Sequence, residues 1–316
     1  MEYPKISVII VVYNGEGSIR RSVGSVIGQT FDGWELVIVD DGSTDATASI
    51  IDGLASDDER IRCVHTPNGG VSKARQTGLD NARGEYVTYI DADDWIDADT
   101  LECLYATAAR EDADMVICDL MLEDKTSVRS RQQPTALDAA TVPRDLFLDL
   151  NGSCCNKLVR RRLFGDFEVA FPAGINMRED LFVNVCLLNH DIKVAYVPEP
   201  FYHYEKQTSA TSLVKAKGKE DQYRMVQQQL AARLIPIVDE RNRTLCRYYF
   251  ANRMVLQAFN SRYYSSSQFR THYHQYALDA LRYPGATLQK RVLLFLSCIG
   301  LYGMAKWLSE FRAQYR

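Results

Sequence analysis

The chain has 316 residues, 46% of them apolar and 25% charged, with a formal net charge of −4 at pH 7. This length can bury the core of one large domain, or of one domain and a smaller appendage, and the composition is ordinary for a globular protein. The mild acidity gives no sign of a nucleic-acid partner, and eight scattered cysteines without a C-x-x-C pair read as reduced thiols in a cytoplasmic setting. Met1-Glu2-Tyr3-Pro4 leads into the first strand without the basic and apolar regions of a signal peptide, so none is expected. That strand, Ile6 to Val12, is almost continuously apolar and β-branched, the pattern of a central parallel strand covered on both faces. Tyr13-Asn14-Gly15 breaks it, and Ile19, Val23, Val26 and Ile27 then recur at helical spacing. A strand over Leu36 to Val39 ends in Asp40-Asp41-Gly42-Ser43; a helix carrying Ile50, Ile51 and Leu54 and a short strand, Ile61 to Val64, follow. Val71 to Ala82 reads as a helix that Gly84 ends with a positive φ, and Tyr86 to Ile90 as a strand running into Asp91, Asp93 and Asp94. Asp99 and Glu102 resemble a capping box for a helix with Leu101, Leu104, Tyr105 and Ala108 on its apolar face, and Met115 to Cys118 is a fifth strand.

Glu123 to Pro134 is polar and reads as a loop, Met177 to Leu188 as a helical segment, and Val194 to Val197 as an edge strand stopped by Pro198 and Pro200. Beyond Glu220 the chain is helical and rich in aromatics. The expected division is a catalytic domain over 1–210 and a helical region over 211–316. Strands alternating with helices over the first hundred residues predict an α/β protein with an open, mostly parallel sheet, which binds ligands beyond the carboxyl ends of its strands. Tyr13-Asn14, Asp40-Asp41 and Asp91 to Asp94 all fall at such ends.

Each cluster admits a functional and a structural reading. Asp91 and Asp93 can aim oxygens at one hard divalent cation whose remaining positions a diphosphate fills, or can belong to a solvated acidic loop. Asp40 or Asp41 can accept from the imide N–H of a uracil, or cap the next helix with Ser43, Thr44 and Asp45. Asn68, Gly69 and Gly70 allow close backbone approach, and Arg75 can pair with a diphosphate or with one of the acidic clusters. Glu179 and Asp180 stand at a helix start, where a carboxylate caps; one of them can instead act as general base on a sugar hydroxyl. His203 is either a packed histidine or a third metal ligand or phosphate contact. Asn156-Lys157 and Arg160 to Arg162 can line an acceptor cleft, and for Arg160 to Arg162 the stronger reading is a solvated face. Val292 to Ala305, with Lys290, Arg291 and Lys306 beside it, is short for a membrane span; it can complete the core or lie in an anionic membrane surface.

Taken together, the segments S-V-I-I-V-V-Y-N, V-D-D-G-S-T-D, N-G-G-V-S-K-A-R-Q-T-G, G-E-Y-V-T-Y-I-D-A-D-D and E-D-L-F, within residues 5 to 210, resemble family 2 glycosyltransferases of the GT-A fold. The nearest likeness is to bacterial members that build capsules, exopolysaccharides and wall polymers. The resemblance implies an inverting, metal-dependent transferase that uses a nucleotide-diphosphate sugar, UDP-linked, as co-substrate with Mn²⁺ or Mg²⁺. Its acceptor would be a saccharide or lipid-linked oligosaccharide. The donor site would include Val12, Tyr13, Asn14, Asp40, Asp41, Asn68, Arg75, Asp91, Ala92, Asp93 and Asp94. Asp91 and Asp93 would form the DXD metal site, with His203 as the further candidate ligand; Asp94 would face the sugar. Asp180 would be the catalytic base with Glu179 in support. The family often has Asn after the Arg of its A-R motif, where this chain has Gln76. The C-terminal region matches loosely and would serve acceptor, oligomer or membrane contact, placing the protein in the cytoplasm or at the inner face of the membrane. The rival readings are a sugar nucleotidyltransferase and a non-catalytic nucleotide-sugar-binding module.

Overall fold

A computed structural model describes residues 4–124, 126–138, 140–205, 220–260 and 265–313. In chain order its first elements are β1 (Ile6–Val12), α1 (Ile19–Ile27), β2 (Trp34–Asp40), α2 (Thr47–Asp57), β3 (Ile61–His65), α3 (Val71–Asn81), β4 (Tyr86–Asp91) and β5 (Trp95–Ile96). There follow α4 (Thr100–Glu111), β6 (Met115–Glu123), β7 (Val128–Ser130), α5 (Thr141–Leu146), β8 (Lys157–Arg160), α6 (Arg162–Asp166), α7 (Glu179–Leu188) and β9 (Val194–Glu205). The rest is helical: α8 (Glu220–Ile237), α9 (Glu240–Asn260), α10 (Ser266–His272), α11 (His274–Arg282), α12 (Leu288–Cys298) and α13 (Tyr302–Ala313).

The sheet order is β3-β2-β1-β4-β8-β6-β9-β5, with β7 paired to β6. The expected parallel ladder holds over β3-β2-β1-β4. Every residue of β2 is buried, and so are successive residues of β1, which point to opposite faces; both faces of this half are therefore covered. Beyond β4 the sheet is mixed. β8 runs antiparallel to both β4 and β6, and β9 returns parallel to β6.

Three elements depart from the sequence-based expectation. Glu123 to Pro134 is not wholly a loop, because β7 folds back on β6 as a hairpin. β9 does not stop at Pro198: the ladder jumps from Cys118–Val197 to Leu120–Tyr202, so both prolines sit in a bulge where their missing N–H groups cost nothing. Nor is β9 an edge strand, since β5 pairs on its far side. Asp99 stands at the α4 N-cap without a side-chain capping bond, and Glu102 instead accepts from Thr30 Oγ1 at 2.7 Å.

Gly84 serves a purpose other than the one expected. α3 ends at Asn81 with Ala82 extended beyond it, and Gly84 has no positive φ. A Cβ at Gly84 would stand 2.5 Å from the Ser7 backbone nitrogen, so glycine is required by close approach to β1. Gly84→Ala is expected to destabilise by about 1–3 kcal/mol through forced displacement of packed backbone. An unchanged urea midpoint would contradict that.

The chain divides into two compact units: Met1–Val142 with Leu150–Gln207, and Pro143–Asp149 with Thr208–Arg316. The expected boundary at 210/211 lies outside the described residues. In the second unit α9 is packed by α8, α11, α12 and α13, and Phe259, Phe269 and Tyr302 stack, the last two with ring centroids 4.0 Å apart. All eight cysteines are free. Among the described residues no helix is long and apolar enough to cross a membrane.

Candidate active site

Parallel register brings the strand tips to one edge: Val12 lies opposite Asp40, and Val11 opposite Asp91. The Val12 carbonyl accepts from the Asp41 N–H at 2.9 Å. Beyond Val12, Tyr13 is exposed and Asn14 adopts φ +53°, its Oδ1 accepting from Thr44 N–H at 2.8 Å. The backbone N–H groups of Asn14, Gly15 and Glu16 donate to Ser43 Oγ, Thr47 Oγ1 and Asp45 Oδ2. The turn after β1 is thus held by side chains of the turn after β2, and its amides are occupied. Ala92 would lie 3.9 Å from a Cβ on Gly15, which places the β4 tip beside the same turn.

Asp40 and Asp41 separate into two roles. Asp40 is buried and accepts from the Ser43 N–H at 2.9 Å and from His65 Nδ1 at 3.0 Å. Burial alone would raise its pKa; donation from Ser43 and His65 outweighs burial and holds the carboxyl below its ordinary value. Asp41 accepts from the Gly69 and Gly70 N–H groups, both at 2.8 Å, and so fastens the Asn68-Gly69-Gly70 loop to the β2 tip. Asn68 is exposed on that loop. Gly70 needs its missing side chain, with φ +85° and a would-be Cβ 2.3 Å from the Asn176 amide.

His65 is raised above its ordinary pKa first by Asp40 and then by Asp52, 3.0 Å from Nε2. A raised histidine stabilises fully below its unfolded value of 6.5, and the gain is lost as pH rises through the folded value. Lowered Asp40 contributes above 3.8, and its gain is lost as pH falls through the folded value. The His65–Asp40 contribution should therefore peak between these limits. With 44% of the His65 side chain exposed, solvent screening limits the loss in His65→Ala to about 0.5 kcal/mol. Urea midpoints at pH 5.5 and 8.5 should show the variant's deficit shrinking at the higher pH.

Arg75 links the remaining acids. It lies one turn into α3, almost fully buried, with Nη2 2.8 Å from Asp91 Oδ1 and Nη1 bonded to Glu179 Oε1. Burial disfavours its charge, but Asp91 and Glu179 outweigh that and hold its pKa far above the ordinary range. Burial is also the largest influence on Glu179 and pushes its carboxyl up to about 7 against the pull of Arg75. Of the two readings of Arg75, the structure thus forms the ion pair with the acidic clusters. The carboxylate of Asp180, next to Glu179, accepts the Leu181 N–H at 2.7 Å and, among the described residues, no side-chain donor; its charge is felt at both Arg75 and Glu179. Arg178, at φ +59°, turns the chain into α7. The segment before it is anchored to α3, where Ser72 Oγ donates to the Pro172 carbonyl at 2.8 Å. Asp41, the glycine loop, Arg75, Asp91, Glu179 and Asp180 therefore form one connected cluster within the first unit.

The acids after β4 differ from one another. No other described residue donates to the Asp93 carboxylate, which is partly buried and raised in pKa first by burial and then by Asp91. Asp93 and the second oxygen of Asp91 fit a hard cation, because a carboxylate destabilised in this way gains from one. Among the described residues there is no cage of three or more His, Cys, Asp or Glu, so other ligands would have to complete the sphere.

Asp94, His203, Asn156, Lys157 and Arg160 depart from expectation. Asp94 is wholly buried, with one oxygen accepting from Tyr202 Oη and the other from Glu205 N–H at 2.8 Å; it faces protein, not a ligand. Burial, then Asp91, pushes its carboxyl up to about 8. His203 has Nδ1 2.7 Å from Glu123 and Nε2 3.0 Å from Asp97, and its ring stacks on Trp95. Both nitrogens are engaged, so His203 is a packed histidine and has no position left for a metal. Asn156 and Lys157 are also internal: Lys157 Nζ is bonded to the carbonyls of Asn151 and Ser153 and to Asn156 Oδ1, and lines no cleft. Of the Arg160–Arg162 run, Arg160 is instead paired with Glu85, Asp112 and Asp114.

Sequence reasoning missed Arg21 and Tyr202. Arg21 lies over the Trp95 ring at 4.2 Å and donates to the Asp93 carbonyl at 2.6 Å. Tyr202 Oη accepts from the Asp91 N–H at 3.1 Å as it donates to Asp94, pinning the β4 tip. No local pattern marks either one, since each acts on residues over 70 positions away.

A cavity of about 860 Å³ opens elsewhere, lined by Lys5, Trp34, Arg60, Arg62 and Arg83 among others. These residues lie at the amino ends of the parallel strands, opposite the edge where open α/β sheets bind ligands. The convergent acids, not cavity size, mark the candidate site.

The sequence pattern described as "Glycosyl transferase family 2" matches residues 7–167, half of the chain. The chain belongs to that family. A putative glycosyltransferase, EpsH of Bacillus subtilis, is 33% identical over 218 residues, 66% of this chain and 63% of that protein. Glycosyltransferase GlyA of Streptococcus pneumoniae is 44% identical over 223 residues, 66% of this chain and 32% of its own length. The chain thus spans between a third and two thirds of these relatives. The structure of S. aureus TarS residues 1–349 in complex with UDP-GlcNAc superposes with a TM-score of 0.71 at 20% identity, covering 99% of this chain and 92% of that one. The family 2 chain therefore has the GT-A α/β fold, with a mixed sheet and a helical C-terminal region.

Proposed function

We propose that this family 2 protein transfers a sugar from a UDP-linked donor to a hydroxyl of a saccharide acceptor, with inversion at the anomeric carbon, in cell-surface polysaccharide synthesis. The observation that carries this reading is the placement of Asp180: a carboxylate without a side-chain donor among the described residues, beside the buried Arg75–Glu179 pair that reaches the β4 tip. The UDP-GlcNAc bound by TarS supports a UDP-linked donor. On this reading Asp41 and its loop, with Val12, Tyr13, Asn14 and Asn68, hold the nucleotide. Asp180 takes the proton of the acceptor hydroxyl as its oxygen bonds to the anomeric carbon. The bond from that carbon to the diphosphate breaks, and the electron pair leaves with the diphosphate. Glu179 and Arg75 fix Asp180 and Asp91 in place. Mn²⁺ or Mg²⁺ held by Asp93 and Asp91 would offset negative charge on the diphosphate.

The occupied amides after β1 disfavour a sugar nucleotidyltransferase, which needs a loop there that is open to a triphosphate. A catalytic unit ending near residue 210, a helical unit contacting acceptor, partner copy or membrane, and a cytoplasmic or inner-membrane-face location belong to the same reading. The test is a thermal-shift panel of UDP- and GDP-sugars with and without Mn²⁺. A metal-dependent rise with a UDP-sugar, of about 2.7 kcal/mol at a hundredfold excess over Kd, is expected. No shift with any nucleotide sugar, with or without metal, would overturn it.

A further inference from the structure

We propose that α1 holds the turn after β4 in the shape that receives the cation, with Arg21 as the positioning residue; this rests on the assignment of Asp93 and Asp91 as cation ligands. Arg21, Ser22 and Ser25 fall within about 100° on one side of α1, and Gln29 follows just past its end. That side runs along the backbone of residues 91–101. Arg21 Nη2 donates to the Asp93 carbonyl at 2.6 Å, and Ser22 Oγ to the Asp91 carbonyl at 3.2 Å. Ser25 Oγ accepts from the Ile96 N–H at 3.3 Å. The Gln29 side chain donates to the Asp97 carbonyl at 2.7 Å and accepts from the Leu101 N–H at 2.9 Å. Each of these bonds goes to main chain, so α1 fixes the path of the turn and takes up neither the Asp91 nor the Asp93 carboxylate.

Arg21 ties α1 to two further elements. Its Nη1 lies 2.8 Å from Glu205 Oε2 at the end of β9, and its guanidinium lies over the Trp95 ring of β5, on which His203 also stacks. Asp91 and Asp93 repel each other, and an untethered turn would relieve that repulsion by swinging Asp93 towards water. A cation would then bear the cost of reordering the turn, whereas a turn fixed beforehand spares it that cost. The charge of Arg21 acts in the opposite sense, since it is felt at Asp93 and repels a cation. Loss of the clamp and loss of the charge therefore shift cation affinity in opposite directions.

The test measures UDP affinity in EDTA and in Mn²⁺ for the full chain, Arg21→Met and Arg21→Lys. In Arg21→Met the gain in UDP affinity from Mn²⁺ should fall about tenfold, the scale for loss of a group that orients a metal ligand, with affinity in EDTA within about twofold of wild type. Removal of the charge alone would raise that gain. Arg21→Lys keeps the charge, but one ammonium cannot span the Asp93 carbonyl and Glu205, so the gain should fall several-fold there too. This variant also covers the case in which Arg21→Met does not fold. Amide hydrogen exchange of the metal-free protein needs neither cation nor nucleotide. In both variants exchange over residues 92–101 should quicken about tenfold, with β1 and β2 unchanged. Unchanged exchange in that turn, or a gain from Mn²⁺ in Arg21→Met that equals or exceeds the wild type's, would overturn the proposal alone. A wild type whose UDP affinity ignores Mn²⁺ would overturn the cation assignment, and the proposal with it.

Discussion

Asp180→Asn is expected to lower turnover by about 10²–10⁴-fold, the range for loss of a positioned general base. A sugar hydroxyl is far too weak an acid to ionise at neutral pH, so the attacking oxygen depends on a nearby base as the bond forms. The substitution keeps the shape of the side chain and an oxygen able to accept the Leu181 N–H, the one hydrogen bond from a described residue that the carboxylate holds. Stability should consequently change by no more than about 0.5 kcal/mol, as for substitutions outside a packed or paired site. Donor affinity should be unchanged, because the lost function appears only as the acceptor reacts. Single-turnover rates and UDP affinity measured on the same preparation separate these effects. Wild-type turnover in the variant would remove Asp180 from the chemistry.

Arg75→Met is expected to be the most damaging single change to the site, costing about 3–5 kcal/mol, because it leaves a buried charge without its partner. The cation lies between Glu179 and Asp91, and Glu179 is itself almost fully buried. In the variant Glu179 must take up a proton or draw in water, and α7, which carries Asp180, loses its anchor to α3. The melting temperature should fall by about 10 °C, using the usual scaling for a domain of this size. Adding Glu179→Gln should recover more than about 1 kcal/mol, as expected for groups in direct contact. Arg75→Lys should not rescue, since one ammonium cannot replace a fork that meets two carboxylates. Strictly additive losses in the double variant would show that the pair is not the reason Arg75 is needed.

The parallel half of the sheet was legible because a strand buried on both faces must be apolar throughout, and β1 and β2 are. The acidic tips were legible for the complementary reason, that carboxylates seldom follow such strands without a purpose. β7 and β8 were not: β7 is three residues long in a polar stretch, and β8 is short and defined by pairing partners far along the chain. β9 was cut short at its prolines because a bulge that accommodates them is a property of two strands, not of one. The same limit governs individual residues. His203 has the right side chain for a metal, but Glu123 and Asp97, which occupy its nitrogens, lie 80 and 106 positions away. Asp94 sits within the acidic run, yet Tyr202 and Glu205 turn it inward. For Arg75 both readings were open until the fold placed Glu179 against it.

A structure of the protein with UDP and Mn²⁺ bears most directly on the site. The uracil should lie at the tips of β1 and β2 beside Asp41 and the Asn68-Gly69-Gly70 loop, with the diphosphate and cation at Asp93 and the Asp180 carboxylate facing the terminal phosphate across the space for the sugar. A nucleotide seated instead among Lys5, Trp34 and Arg83, at the amino ends of the same strands, would contradict the assignment of every residue in the site.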